Sequence, residues 1–167
     1  YGSPGTGKSV FFYKILKKLN YDIIKYDAGD VRNKTIIDKI TKHNMSDKNV
    51  LSLLQKKTKK IAIIMDEIDG MNSGDKGGIN TLIKLIRPKK TKKQKKEEIT
   101  MIPIICIGNY HIDKKIKEMI KICSNIELKT PTDEQVDNML NILMPKLDTK
   151  FKEKMRVFIQ GDLRKLN

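Results

Sequence analysis

The sequence predicts an α/β fold, a parallel sheet flanked by helices, followed by the start of a small helical domain. Three observations carry this expectation. The stretch Gly2-Ser3-Pro4-Gly5-Thr6-Gly7-Lys8-Ser9 fits GxxxxGK(S/T), a glycine-rich loop that joins a strand to a helix. Two continuous apolar runs, Ile61 to Met65 and Ile102 to Gly108, suit strands buried on both faces of a parallel sheet, and helical patterns alternate with them. Past Thr130-Pro131 only helical patterns remain, so an α/β core over residues 1–129 and a partial helical domain over 130–167 are expected.

In the opening loop each residue type has a physical task. Glycines let the backbone take left-handed angles and approach a ligand closely, Pro4 stiffens the turn, and the next helix aims its positive end at bound phosphates. The expected nucleotide-binding set is Gly2, Ser3, Pro4, Gly5, Thr6, Gly7, Lys8, Ser9 and Val10. Lys8 is expected to reach the β and γ phosphates, and Ser9 to put its hydroxyl on Mg²⁺. Because such a loop normally follows a buried strand, a strand is expected ahead of Tyr1 in a longer protein.

After the loop, Val10, Phe11, Ile15, Leu16 and Leu19 recur at helical spacing with Lys14, Lys17 and Lys18 between them. A short strand over Tyr21 to Ala28 should end near Asp27. Helical patterns follow at Thr35 to Ile40 and Val50 to Gln55. The strand at Ile61 to Met65 closes on Asp66-Glu67, placing two acids at the carboxyl edge, where parallel sheets bind ligands. A glycine-bearing loop from Gly70 to Gly78 leads to a helix over about Ile79 to Arg87, stopped by Pro88. The strand at Ile102 to Gly108 ends at Asn109, with a helix over Asp113 to Lys121 and a short strand over Ser124 to Leu128 behind it. Thr130 can cap and Pro131 can open a helix running to Met144. A second helix spans Asp148 to Ile159, and Gly161-Asp162-Leu163-Arg164 opens a third.

Composition narrows the class. The 167 residues are long enough to bury a core, built mainly from isoleucine and leucine because aromatics make up only 5% and tryptophan is absent. No apolar run approaches the roughly 20 residues of a membrane span, so no membrane partner is expected. Thirty-five Lys and Arg against twenty Asp and Glu give a net charge of +15. That excess favours a polyanionic partner such as nucleic acid, or reflects a lysine-rich composition of an AT-rich genome. Cys106 and Cys123 show no CxxC spacing and read as reduced thiols of an intracellular protein. His43 and His111 have no sequence partners for a metal site.

The acids complete the chemistry that Lys8 begins. An aspartate at a strand end, Asp66, can hold Mg²⁺, and the adjacent Glu67 can deprotonate a water for attack on the γ phosphate. Asn109 could hold that water or read the γ phosphate, although an asparagine after glycine also ends strands. Arg164 can equally be an ordinary helix arginine.

At this point a family resemblance emerges. GSPGTGKS, IIMDEID and IICIGN resemble the Walker A, Walker B and sensor 1 motifs of AAA+ ATPases, and GDLRKLN resembles the sensor 2 segment of clamp loader subunits. Tyr26-Asp27-Ala28-Gly29-Asp30-Val31-Arg32 is similar to the NASDxR segment of replication factor C subunits. DEIDGMNSGDKGGINTLIKLI is similar to the DExDGM...RGGI stretch of the large subunit of that family. The resemblance implies a P-loop NTPase fold of the AAA+ type. It also implies an ATP- and Mg²⁺-dependent ATPase within a hetero-oligomer of clamp loader AAA+ subunits, one that places a sliding clamp on primer-template DNA. It gives Lys8 to the phosphates, Ser9 and Asp66 to Mg²⁺, Glu67 to water activation, and makes Asn109 sensor 1 and Arg164 sensor 2. The implied location is the nucleus or a viral replication site, not outside the cell.

Three departures matter. Asp27 stands where the family often has asparagine. Where small subunits carry an SRC motif that lends an arginine finger to a neighbour, this chain reads Lys121-Ile122-Cys123. The chain is therefore expected to receive its finger from another subunit and to hydrolyse ATP weakly alone. The lysine run from Lys89 to Lys96 is longer than the family's usual connection, and reads as a solvated insertion, a DNA phosphate contact or a nuclear-localisation signal. Two other functions fit the motifs less well. Another AAA+ motor, a helicase or remodeller, would want a pore-loop aromatic and its own arginine finger. A non-hydrolysing assembly scaffold would have no need of Glu67.

Overall fold

The computed structural model describes residues 1–30, 32, 34, 35, 37, 60–71, 77–86, 102–110 and 113–166. The helical patterns expected over 38–40 and 50–55, most of the loop over 70–78, Arg87 and Pro88, the lysine run, and both histidines lie outside them. Helix α1 spans Lys8–Lys18, strand β1 Tyr21–Tyr26, β2 Lys60–Met65, helix α2 Gly78–Ile86 and β3 Ile104–Cys106. Helices α3 (Lys114–Ile120), α4 (Asp133–Leu143) and α5 (Thr149–Ile159) follow, with short 3₁₀ turns at Ile68–Gly70 and Leu163–Leu166.

The three strands form a parallel sheet in the order β1-β2-β3. Tyr21 pairs with Lys60 and Tyr26 with Met65 on one side of β2, and Ile63 with Ile104 and Met65 with Cys106 on the other. As the central strand, β2 is buried on both faces, which explains its unbroken apolar run. Its alternating side chains feed two separate cores. Ile61, Ile63 and Met65 pack with Ile79, Leu82 and Ile83 of α2 and with Ile116 and Met119 of α3. Ala62 and Ile64 pack with Leu16 of α1 and Ile107. Each isoleucine so buried stabilises the fold by about 1.5–3 kcal/mol.

The apolar spacing after the loop does mark a helix, but it points to the wrong face. Only Leu16 among the five residues is buried, with Phe12 half-buried beside it, whereas Val10, Phe11 and Leu19 are exposed. A narrow Phe12–Leu16 edge, one turn apart, meets the sheet.

The strand ladder of β3 is shorter than the apolar run, although Ile63 N–H donates to the Pro103 carbonyl at 3.0 Å and Ile107 N–H to Met65 at 2.8 Å beyond its ends. Over Ser124 to Leu128 the expected strand reduces to one parallel bridge, Gly2 with Leu128, in which Leu128 N–H donates to the Tyr1 carbonyl at 2.8 Å. A cavity of about 190 Å³ lies nearby, lined among others by Cys106, Cys123 and Ile126.

Helix α3 starts where Asp113 Oδ1 accepts from the backbone N–H groups of Lys115 and Ile116, at 3.0 and 2.9 Å. Helix α4 starts two residues later than the sequence suggests. Thr132, not Thr130, is the cap: its hydroxyl accepts from Gln135 N–H while Thr132 N–H donates to Gln135 Oε1 at 3.0 Å, a reciprocal capping box. Val136 and Leu140 of α4 close on Ile159 of α5 as a third, small core. The third helix expected after Gly161 is, among the described residues, a single 3₁₀ turn over Leu163–Leu166.

Candidate active site

The loop between Gly2 and α1 has the backbone that a phosphate cradle requires. Gly5 and Gly7 take φ of 78° and 81°, and a Cβ at Gly5 would collide with Asp162 Oδ1. Thr6 Oγ1 donates to the Ser3 carbonyl at 3.0 Å and braces the turn. Gly7 caps α1 without a side chain, and the first intrahelical bond runs from Phe11 N–H to Gly7. The N–H groups of Lys8, Ser9 and Val10 are therefore left for an anion. The Val10 side chain is exposed, so its backbone is what it can offer.

Lys8 is buried and folded over this loop. Its Nζ donates to the carbonyls of Gly2 and Ser3 at 3.0 and 2.7 Å and to Asn109 Oδ1 at 3.0 Å. Burial pulls its pKa below the ordinary lysine value and the nearby Arg164 charge adds to this, while the Asp69 and Asp66 carboxylates oppose it.

Ser9 and Asp66 meet directly, with Ser9 Oγ donating to Asp66 Oδ2 at 2.7 Å. The Lys25 ammonium stands 3.4 Å from the same oxygen and 2.7 Å from Asp27 Oδ1. Its hydrogen bond to Asp27, more than anything else, raises its pKa. Arg32, almost fully buried, donates through Nη1 to the Asp66 carbonyl, just past the end of β2. Among the described residues no cluster of three or more His, Cys, Asp or Glu could hold a metal alone. A hydroxyl beside one carboxylate nevertheless fits Mg²⁺, a hard cation that takes one or two protein oxygens and completes its shell with water and phosphate.

Glu67 follows with a left-handed backbone, φ 49°, and is exposed. A non-glycine residue in that region costs about 1–3 kcal/mol, and such outliers gather at active sites. Asn109 closes the far side, its amide between Lys8 and Asp69. Arg164 reaches the site through the C-terminal turn. Leu163 N–H donates to the Gly5 carbonyl at 2.8 Å, and Arg164 lies on Asp162 through Nε at 2.9 Å and Nη2 at 2.6 Å. Its side chain is 69% exposed and does not touch Lys8, Asp66 or Asn109 in any hydrogen bond described.

The structure thus brings Lys8 onto Asn109 and Ser9 onto Asp66, leaves Glu67 exposed next to Asp66, and brings Arg164 only to the rim. Arg32, Lys25, Asp69 and Asp162 hold these residues as well; Arg32, Asp69 and Asp162 lie within the motif stretches, which gave them no role, and Lys25 lies in none. Cys106 is partly buried against the core, and desolvation there pushes its thiol up to about 12, so it is an inert residue beside the site.

Residues 1–131 match the family described as ATPase family associated with various cellular activities (AAA). The chain is similar to "Replication factor C subunit 1" of Saccharomyces cerevisiae, 28% identical over 177 residues that cover 99% of this chain and 19% of the yeast protein. It is 29% identical to the protein of the same name in Drosophila melanogaster, over 93% of this chain and 15% of the fly protein. It is 28% identical to "Replication factor C large subunit" of Nanoarchaeum equitans, over 98% of this chain and 35% of the archaeal protein. The chain therefore spans between about a seventh and about a third of the length of these relatives.

Proposed function

Since the chain belongs to the AAA family of ATPases, we propose that it binds and hydrolyses ATP with Mg²⁺ as the large subunit of a DNA sliding-clamp loader. The observation that carries this is the convergence of Lys8, Ser9, Asp66 and Asn109 on the open N-terminal end of α1, with Glu67 beside it. In this reading residues 1–129 form the ATPase core and residues 130–167 begin the helical lid.

The N–H groups of Lys8, Ser9 and Val10 and the positive end of α1 hold the phosphates. Lys8 exchanges its contacts with Gly2 and Ser3 for the β and γ phosphates, which compensate the burial of its charge. Ser9 and Asp66 hold Mg²⁺, which when bound neutralises charge that develops on the phosphates. Glu67 takes the proton of a water as that water's oxygen bonds to the γ phosphorus. The bond to the β–γ bridging oxygen breaks, leaving ADP and inorganic phosphate. Asn109 orients the γ phosphate or the water, and Arg164 leaves Asp162 for the phosphates when the lid turn closes.

Lys121-Ile122-Cys123 offers no arginine at the place where small clamp loader subunits carry their finger, so the missing charge comes from a neighbouring subunit. Such a finger is worth about 10³–10⁵ in rate. The other AAA+ subunits, a sliding clamp and primer-template DNA are the partners of this reading, and the net charge of +15 suits the last of them.

The test uses the full-length protein, alone and with the subunits that co-purify with it. Glu67→Gln should leave ATP binding intact, lower the hydrolysis rate of the assembly by about 100-fold or more, and stop clamp loading. Normal loading by the Glu67→Gln variant would show a scaffold instead of a motor.

A further inference from the structure

We propose that Asp69 is a positioning residue for Asn109, holding its amide in the one orientation that turns the carbonyl oxygen toward Lys8. The proposal rests on the ATPase reading above and assigns a task to an acid that the motif reading left idle.

A side-chain amide has nearly the same shape either way round, so hydrogen bonds alone choose its orientation. Asp69 offers acceptors only. Its Oδ1 accepts the backbone N–H of Asn109 and its Oδ2 accepts Asn109 Nδ2, both at 3.3 Å. With nitrogen held on that side, Asn109 Oδ1 faces the other way and accepts from Lys8 Nζ at 3.0 Å. The reversed amide would set its oxygen against the carboxylate and its nitrogen against the ammonium, and both contacts would be repulsive. Asp69, Asn109 and Lys8 therefore form a relay of fixed polarity.

The surroundings are shaped for this contact. Asp69 sits in the 3₁₀ turn immediately after Glu67, and Ile68 in that turn donates its N–H to Ile107 at 2.9 Å. The turn that carries the water-activating acid and the strand end that carries the amide are tied together twice. Gly108 makes the approach possible, since a Cβ there would stand 3.0 Å from Asp69 Oδ1 and 3.1 Å from Ile68 Cγ2. Asp69 thereby sets the angle at which Asn109 meets the γ phosphate without touching the nucleotide itself.

A double-mutant cycle in the full-length protein, with its co-purifying subunits, tests this. Asp69→Asn keeps the size but turns an amide nitrogen toward Asn109. It should lower kcat by about 10- to 100-fold while the Kd of a non-hydrolysable ATP analogue changes by less than about threefold. Combined with Asn109→Ala it should add less than about twofold to the loss from Asn109→Ala alone, and the losses in Tm of the nucleotide-free protein should likewise fail to sum. Gly108→Ala, which leaves Asp69 in place but crowds its carboxylate, should reproduce the kcat loss. An unchanged kcat, a parallel fall in kcat and affinity, or losses that multiply across the cycle would overturn the role of Asp69. A wild-type assembly that neither binds nor hydrolyses ATP would overturn the ATPase reading, and this one with it.

Discussion

Asp162 holds Arg164 through both carboxylate oxygens, and that ion pair brings its own pH dependence. The hydrogen bonds from Arg164 hold the Asp162 carboxyl at about 2, below the ordinary aspartate value of 3.8. A group whose folded pKa is depressed adds stability above its unfolded value and loses it as pH falls through the folded one. The contribution is thus present above about pH 4 and disappears toward pH 2. Asp162→Asn should flatten the fall in urea midpoint between those values; parallel curves for the two proteins would refute the assignment. The same pair shows which residues a sequence reveals. Lys8, Ser9, Asp66, Glu67 and Asn109 are legible because their backbone settings, a glycine loop and two strand ends, are written beside them. Arg32 and Asp69 act on residues 34 and 40 positions away, and only the folded sheet brings those partners together.

At the scale of elements, the caps and faces separate what is local from what is tertiary. Thr130 and Thr132 both flank Pro131, yet only Thr132 has glutamine three residues on, and the reciprocal bonds with Gln135 select it. That signal lay in the sequence. Thr132→Ala should cost about 1 kcal/mol, read from the denaturation midpoint of the full-length protein. A loss below about 0.3 kcal/mol would mean that packing of Val136 and Leu140 alone sets the start of α4. The inward face of α1 was not legible. Its apolar residues surround the helix, and only packing on the sheet selects Phe12 and Leu16 as the inner edge. Similarly, the apolar run at Ile102 to Gly108 announces a strand, but Pro103, which has no N–H, and the turn into Asn109 trim its ladder to three residues.

At the scale of the molecule, three cores among the described residues divide the labour. One lies between the sheet and α2 and α3, one between the sheet and α1, and the smallest within the C-terminal helices. The fold class was readable from the two apolar runs, whereas the partition into separate cores depends on which helix crosses which face. Strand β2 is the wall between the two larger cores, and a wall also insulates. Among the described residues, Ile63 and Ile64 share a peptide bond but no neighbour in their two core clusters. Ile63→Val and Ile64→Val should each cost about 0.5–1.5 kcal/mol, and the double variant should match their sum to within about 0.5 kcal/mol. A larger discrepancy in unfolding experiments would show that the backbone of β2 yields and carries strain across. If the sum holds, closeness along the chain is no guide to thermodynamic acquaintance here: the helix after the glycine loop and the helices on the other face of the sheet can drift in sequence independently, each answering to its own side of one strand.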